Sequence, residues 1–353
     1  MNTFASPDRG RADAANATVG SATLVQRLMP SAALFFVAPM VAEFLLGNMS
    51  ITHLRLLAIL APLYGGGAIL IRESVRRTGR GWPCIFVLAL AYGVLEEAFL
   101  MQSLFNPNFL GQNLHLLDPA YLPALGIGVW YTIFVLTLHT VWSISVPIAL
   151  VESLVPKRAD SPWLGPVGFA IVAVAFALAC IAIASSTIRR DPIHFIASHA
   201  QFTGSAVTVL VLIAAALCLP RRADVKTVGV VPNPWALGIG SFALATTFLV
   251  IPLSWSWWAV LAYLALDITA VLLVLRWSHR TGWRAIHKLS LAGGAATAYA
   301  IHAFIETPSV GHSGVITRIG NLVFAFLAAS LLVVGARRVR NLSSTEFFKA
   351  QRS

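Results

Sequence analysis

Runs of about 20 apolar residues recur along the whole chain and constrain its fold more than any other feature. A helix needs about 20 apolar residues to cross the hydrocarbon core of a membrane. Backbone polar groups find no partner in lipid, so runs of this kind must be helical. The chain of 353 residues holds ten of them, with approximate bounds 29–48, 56–71, 83–104, 123–152, 163–185, 200–219, 234–253, 257–276, 285–305 and 318–336.

Composition supports the same fold class. Apolar residues make up 58% of the chain and charged residues 11%, and the mean hydropathy is +0.78. Soluble domains carry about 25% charged residues, so a water-soluble domain, a disordered chain and a coiled coil are all excluded. We predict an all-α, polytopic transmembrane helix bundle of about ten spans. A disordered cytoplasmic tail is expected over 1–27, the ten-helix membrane domain over 28–338 and a cytoplasmic C-terminal tail over 339–353.

The positions of the basic residues predict the orientation of the spans. The chain has 25 Lys and Arg residues against 14 Asp and Glu residues, a net charge of +11. With ten spans, the basic residues fall in alternate loops that share one side of the membrane, and the exceptions are Arg55, Arg189, Arg190 and Arg318. Basic loops are cytoplasmic, so both termini are predicted to be cytoplasmic, and the basic surplus indicates orientation and not nucleic-acid binding. Arginine outnumbers lysine, a bias typical of GC-rich bacterial genomes, which favours a bacterial inner membrane.

Ionisable residues inside the apolar runs are the candidate functional groups. Such a residue is costly in lipid and normally faces the interior of the bundle with a partner. Most of these residues map to the outer half of the predicted membrane, so we expect an acidic and histidine-lined polar cavity there. The candidate ligand- or proton-binding residues are Glu43, Glu96, Glu97, His139, Asp267, His302 and Glu306.

Two of these residues, Glu96 and Glu97, are adjacent. Neighbours on a helix point about 100° apart, so the two carboxyl groups face different partners or two edges of one cavity. Such a pair can hold a single proton, as proton-coupled carriers and general acids require. Alternatively, one glutamate bonds a backbone carbonyl or Tyr92 and locks the helix. His139, on the next helix, is either a functional partner of this pair or a plain interhelical hydrogen bond.

Histidines near the ends of the outer segments give a second set of candidates. His302 and Glu306 are four residues apart and face one direction, which suits a metal ligand pair, a proton relay or simply polar caps. His194 and His199 lie close to a predicted outer loop. Solvated loop histidines are the expected interpretation for that pair.

The other two acids stand alone on their helices. Glu43 follows Pro39 by one turn, and a proline kink frees a backbone carbonyl beside it. Asp267 has no polar companion nearby on its own helix. For both, a functional role and a structural one remain open.

The run 95–101 (LEEAFLM), followed by His139 on the next helix, resembles the CPBP family of intramembrane metal-dependent proteases. That family carries EExxxR, FxxxH and HxxxN motifs on successive membrane helices. The resemblance implies that Glu96 or Glu97 activates water or contributes to a metal site, with His139 as a ligand.

The chain departs from those motifs at three points. Met101 stands at the arginine position of the first motif, and Phe134 precedes His139 by five residues instead of four. The third motif has only the His302 and Glu306 pair, or His194 with Ser198, to match it. These departures favour a degenerate relative over an active protease.

Two classes of function follow from these residues. The leading hypothesis is a non-enzymatic membrane protein, a transporter or a small-molecule or ion-binding protein, whose ligand contacts the outer carboxylates and His139. The alternative is a CPBP-like intramembrane protease or a degenerate relative, for which Glu96, Glu97 and His139 would be the catalytic residues. A third reading, a structural subunit whose charges pair with another protein, also remains. The sequence names no cofactor, and the expected partners are the lipid bilayer and a small molecule or ion.

Overall fold

The computed structural model describes residues 24–221 and 226–350, and these residues are almost entirely helical. A two-stranded hairpin, β1 (Tyr121–Leu122) and β2 (Ile127–Gly128), lies between the third and fourth helices. The main helices of the described residues are α1 (Gln26–Phe44), α2 (Ile51–Arg77), α3 (Trp82–Leu100), α4 (Val129–Leu154), α5 (Pro166–Arg190), α6 (His199–Cys218), α7 (Pro234–Val250), α8 (Trp257–Ser278), α9 (Ala285–His302) and α10 (Val315–Ala350).

Eight of the described helices are long and apolar enough to cross a membrane, by length and composition. The predicted all-α polytopic bundle is therefore confirmed, and the chain is a multi-pass membrane protein. The other two predicted spans are also helices: α7 is shorter, with 17 residues, and α9 carries His287 and Lys288 in its first turns.

The two predicted tails meet the described helices at both ends of the chain. Residues 1–23 of the predicted N-terminal tail lie outside the described residues, and helical structure is already present at Leu24. At the other end α10 continues to Ala350, through most of the segment predicted as a C-terminal tail.

The helices divide into a central group and a peripheral group. In α3 and α4, 61% of the most apolar stretch is buried within the protein, whereas the share is 6% in α5, 11% in α6 and 17% in α8. Helix α4 packs against α1, α3, α9 and α10. Apolar side chains on the peripheral helices face outward, as lipid-facing residues do. The interior that polar residues can share is therefore formed mainly by α1 to α4 and α9.

Each of the helices α1 to α4 contains a π-helical turn. A π-turn bonds residue i to i+5 in place of i+4; it occurs mostly as a single turn inside an α-helix and is frequent at functional sites. In α3 the amide of Met101 donates to the carbonyl oxygen of Glu96 at 2.9 Å, and in α1 the amide of Leu45 donates to that of Met40 at 2.8 Å. The four π-turns are Met40–Phe44, Ala61–Gly65, Glu96–Leu100 and His139–Ser145.

Prolines lie near three of these turns. Pro39 precedes the turn in α1, Pro62 lies within the turn in α2, and Pro147 follows the turn in α4 by two residues. Because proline has no N–H and its ring clashes with the carbonyl four residues earlier, Pro147 interrupts the regular ladder at Ser143, inside the π-turn of α4. An extra residue in the turn relieves that clash and rotates the side chains that follow it.

Buried ion pairs connect α2 with α4 at one end of the bundle, which we call the basic end. Arg72 is fully buried, and its guanidinium contacts Glu73 at 2.7 Å and Glu152 of α4 at 3.1 Å. The same guanidinium lies 3.3 Å from the ring centre of Trp163. Glu73 in turn accepts hydrogen bonds from the backbone of the α4–α5 connection, including the amide of Trp163 at 2.9 Å. Arg76 completes the network by bonding both carboxylate oxygens of Glu152.

At the opposite end, Asp191 joins the loop after α3 to the loop after α5. Its carboxylate accepts from Asn106 Nδ2 at 2.6 Å and from the amides of Leu110 and Ile193 at 3.2 and 3.0 Å. Burial alone would raise the pKa of Asp191, but the hydrogen bonds from Asn106 and from the backbone outweigh it and lower the pKa below its ordinary value.

We expect this lowered pKa to make stability depend on pH. A depressed carboxyl pKa stabilises the fold above the unfolded value, near pH 4, and the contribution is lost as the pH falls through the folded pKa. The Asp191→Asn protein should be about 1–2 kcal/mol less stable than wild type at pH 7, since it loses charged hydrogen bonds. The difference in stability between wild type and Asp191→Asn, measured by thermal unfolding, should become smaller below pH 4. A difference that stays constant with pH would contradict this account.

Gly65 allows α1 and α2 to approach closely beside the π-turn of α2. A Cβ atom at this position would overlap the backbone of Phe35 in α1. We expect Gly65→Ala to destabilise the protein by about 3 kcal/mol or more, because backbone atoms cannot shift as a flexible side chain does. Gly204→Ala in α6 is the matched control, since a Cβ there meets open space. Equal unfolding temperatures for the two variants would contradict the close packing.

Candidate functional site

Glu96, Glu97 and His139 meet in the interior of the bundle. His139 Nε2 lies 2.7 Å from Glu97 Oε1, and His139 Nδ1 lies 3.2 Å from Glu96 Oε2. The three side chains belong to the π-turns of α3 and α4 and are 2–6% exposed. One ligand atom from each lies within 4.8 Å of the others, a spacing that can hold a metal ion.

The two carboxylates have different surroundings. Glu97 Oε2 accepts a hydrogen bond from Ser103 Oγ and one from Tyr131 Oη at 3.4 Å. Glu96 Oε2, although near His139, has no hydrogen-bond partner among the described residues, and the buried hydroxyl of Tyr92 has none either. A buried polar atom without a partner is unusual in a native interior. Glu96 Oε2 is thus held only by its ion pair with His139 Nδ1 at 3.2 Å, and the Glu96 side of the cluster keeps capacity to contact a ligand.

Glu43 extends the polar interior toward α1. Tyr64 of α2 donates to Glu43 Oε1 at 2.5 Å, and Asn48 donates to Glu43 Oε2 at 2.6 Å. The Tyr64 ring stacks on the His139 imidazole with ring centres 6.2 Å apart. Both Glu43 and Tyr64 lie in π-turns. We call Glu43, Tyr64, Tyr92, Glu96, Glu97 and His139 the buried acidic site.

Gly93 allows α3 and α4 to meet at this site. It lies one turn before Glu97 on α3, and a Cβ atom at Gly93 would approach the Cβ of His139 to 3.2 Å. The missing side chain lets the imidazole reach both carboxylates. Ser143, one turn after His139, lies 3.1 Å from Nδ1 and helps to orient the ring.

Electrostatics make this site unusual for a membrane interior. The ion-pair partner of both Glu96 and Glu97 is the same imidazole, and the carboxyl group of Glu43 lies beyond Tyr64. One imidazole carries at most one positive charge, whereas three carboxyl groups can carry three negative ones. An excess of negative charge in a low-dielectric interior is costly unless protons or a cation offset it.

The site lies in the half of the bundle away from the basic end. Glu96 follows Trp82 by 14 residues, about 21 Å along the helix from the basic end. Leu100, the last residue of α3, follows Glu96 by four residues.

The other candidate residues have partners of their own. Asp267 of α8 accepts from Thr137 Oγ1 at 2.9 Å, and His302 Nε2 lies 3.0 Å from Glu306 Oε2. His194 bonds the backbone carbonyl of Ile188. The structure thus brings Glu43, Glu96, Glu97 and His139 together, and it gives Asp267, His302 and Glu306 contacts outside the buried acidic site.

Several residues of the site were not singled out from the sequence. Tyr64 directly precedes the glycines 65–67 in an apolar run, and Tyr131, which bonds Glu97, follows the predicted loop after α3. A hydroxyl group costs less in lipid than a charge, so hydropathy alone does not mark these residues. Tyr92, by contrast, was named from the sequence, because helical spacing places it one turn before Glu96.

Comparison with known families decides the identity of the chain. Residues 33–346 match an uncharacterized membrane protein family. The chain belongs to that family. No CPBP family model matches the chain, so the comparison does not support the resemblance to those proteases. Neither the curated proteins nor the solved structures gave a match.

Proposed function

We propose that this family member binds a metal cation at the buried acidic site and acts as a transporter or an ion-binding membrane protein. The observation that carries the proposal is the convergence of Glu96, Glu97 and His139, with ligand atoms within 4.8 Å of one another in a buried interior. The arginine-rich composition and the basic loops favour a bacterial inner membrane, with the basic end cytoplasmic.

The donor atoms suit a cation. Carboxylate oxygens and an imidazole nitrogen are ligands of zinc, manganese and related divalent metals. A bound cation would offset the carboxylate charge and give Glu96 Oε2, which lacks a hydrogen-bond partner in the described residues, a ligand contact. The second nitrogen of His139 would then hydrogen-bond a carboxylate or Ser143, the usual support for a metal-bound histidine.

Interrupted helices also support a transport role. Ion and substrate sites of transporters lie where membrane helices are broken and where the backbone departs from regular geometry. Here four neighbouring helices depart from the α-helical ladder at the level of the site. π-turns of this kind give each helix a local place to bend when a site opens or closes.

Cation-dependent stability tests the proposal. Purified protein in detergent would be heated with each of Na⁺, K⁺, Mg²⁺, Ca²⁺, Mn²⁺, Co²⁺ and Zn²⁺ at constant ionic strength. A cation that binds only the folded state stabilises it, by about 2.7 kcal/mol when the free cation concentration is 100 times the dissociation constant. The unfolding temperature rises accordingly. We expect at least one cation to do so in the wild type and in Glu306→Gln. The proposal fails if no cation does.

A metal-dependent intramembrane protease is the second candidate. The observation that favours it is that the three residues carried by the CPBP resemblance do meet. A catalytic zinc-type site needs three protein ligands and an activated water. If one glutamate acts as the base, two ligands remain, so the residues present suit cation binding better than hydrolysis.

Proteolysis has its own readout. The purified protein, loaded with the cation found above, would be incubated with peptides that contain a transmembrane segment, and the products analysed by mass spectrometry. Cleavage that is lost in Glu97→Gln and retained in Glu306→Gln would establish the protease and displace the transporter proposal.

A further inference from the structure

The loop between α1 and α2, residues 45–50, lies beside the buried acidic site, at the end of the bundle opposite the basic end. Asn48 in this loop is half-buried. Its Nδ2 atom donates to Glu43 Oε2 at 2.6 Å, and Tyr64 Oη donates to the other oxygen of the same carboxylate, Oε1, at 2.5 Å. Both oxygens of Glu43 are therefore bonded, one of them by a side chain that is partly exposed.

Glu43 connects this loop to the deeper carboxylates. The Tyr64 hydroxyl that bonds Glu43 also interacts with Glu96. Exposure falls along the series, since Asn48 is half-buried, Glu43 is 8% exposed and Glu96 is 2% exposed. A cation that leaves water for a low-dielectric interior needs polar groups to replace its hydration. A continuous line of such groups leads from the loop to the proposed ligand atoms.

The backbone of the loop is fixed so that Asn48 faces Glu43. The carbonyl oxygen of Asn48 accepts from the amide of Val310 at 3.3 Å. Gly47 has a φ of +82°, which a glycine adopts without strain. A Cβ atom at Gly47 would also lie 3.0 Å from the backbone of Ala303, so the loop packs closely on the end of α9. The side chain of Asn48 can therefore release Glu43 without moving the loop.

We propose that Asn48 gates the passage of the cation between the surface and the buried acidic site, an inference that rests on the cation binding proposed above. A cation that moves along this line of polar groups must contact Glu43 first. The Oε2 atom of Glu43 is available to it only after the amide of Asn48 has been released. Asn48 is thus a positioning residue: it holds Glu43 closed to the surface and sets the rate of entry and exit.

The release rate of Zn²⁺ tests this role. Protein in detergent, loaded with Zn²⁺, would be mixed in a stopped-flow instrument with an excess of a chromogenic chelator, whose colour change follows release. We expect Asn48→Ala to release Zn²⁺ about tenfold faster than the wild type, since one hydrogen bond to a charged group no longer opposes passage. Entry should accelerate equally, so the dissociation constant from isothermal titration should stay within about threefold of the wild type.

Asn108→Ala is the matched control. Asn108 is also a half-buried asparagine in a loop at this end of the bundle, and its side chain accepts one hydrogen bond, from the amide of Asn113 at 2.8 Å. This variant should release Zn²⁺ at the wild-type rate. Unfolding temperatures would confirm that both variants are folded.

Three results would overturn the role of Asn48 while leaving cation binding intact. The first is a wild-type release rate in Asn48→Ala. The second is an equal acceleration in Asn108→Ala. The third is a tenfold faster release matched by a tenfold weaker affinity, because Asn48 would then stabilise the bound state and not control passage. A wild type that binds no Zn²⁺ also overturns this inference, whereas the proposed function fails only if none of the cations tested above stabilises the protein.

Discussion

Glu97→Gln is expected to lower the affinity of the protein for its cation by at least about 100-fold. Glutamine keeps the size of the side chain and its hydrogen bonds to Ser103 and Tyr131, but it removes a negative charge from a buried site. Changes to groups that only support a metal ligand cost about 10–100-fold in affinity, and Glu97 is proposed as a ligand itself. Isothermal titration with the cation that stabilises the wild type measures the loss.

The control for this experiment is a glutamate outside the site. Glu306→Gln makes the same chemical change in a carboxylate that bonds His302 and is 34% exposed. Its affinity should stay within about threefold of the wild type. If the two glutamine variants bind the cation equally, Glu97 is not a ligand.

Arg72→Gln is expected to cost about 3–5 kcal/mol of unfolding free energy. Removing one partner of a buried ion pair leaves the other charge uncompensated in the interior. Here Glu73 would lose its closest cation, at 2.7 Å, while remaining fully buried. Unfolding followed in mixed detergent micelles measures the effect.

Two further variants separate charge from geometry at Arg72. Arg72→Lys keeps the charge but should recover only part of the stability, because an ammonium cannot reproduce the planar fork that bonds Glu73 and Glu152 and stacks on Trp163. Arg55→Gln removes an exposed arginine at the other end and should change stability by about 0.5 kcal/mol or less. An Arg72→Gln protein as stable as Arg55→Gln would show that the buried network contributes little.

Much of the fold was predictable because lipid allows few solutions. Apolar runs long enough to cross a membrane must be helices, so the number and order of the helices follow from the sequence. Boundaries were less certain: α5 extends to Arg190, although its predicted span ends at 185. A hydropathy profile ends a predicted span where polar or charged residues begin. The helix itself can continue through such residues, so its true end lies further along the chain.

The site was predictable in part, for a related reason. A charge in lipid must face inward, which marks Glu43, Glu96, Glu97 and His139 as candidates. Side-chain packing decides which helices touch, and a single sequence does not show that packing directly. The hydrogen bond between His302 and Glu306 follows from their spacing, but their place outside the buried acidic site does not.

Two features escaped the sequence for identifiable physical reasons. The π-turns in α1, α2 and α4 have prolines nearby, yet the turn in α3 has none, so no sequence rule found it. Glu73 and Glu152 lie near the ends of apolar runs, where charged residues are usually solvated. In the folded protein the α4–α5 connection bonds Glu73 while Arg72 and Arg76 of α2 bond Glu152, and both glutamates are buried at the basic end.

The number of cations that each chain retains tests the central claim most directly. Protein saturated with the stabilising cation would be passed through gel filtration and its bound metal counted against protein by mass spectrometry. The account predicts one cation per chain in the wild type and in Glu306→Gln, and none in the Glu96→Gln/Glu97→Gln double variant. A folded double variant that retains as much cation as the wild type would contradict it.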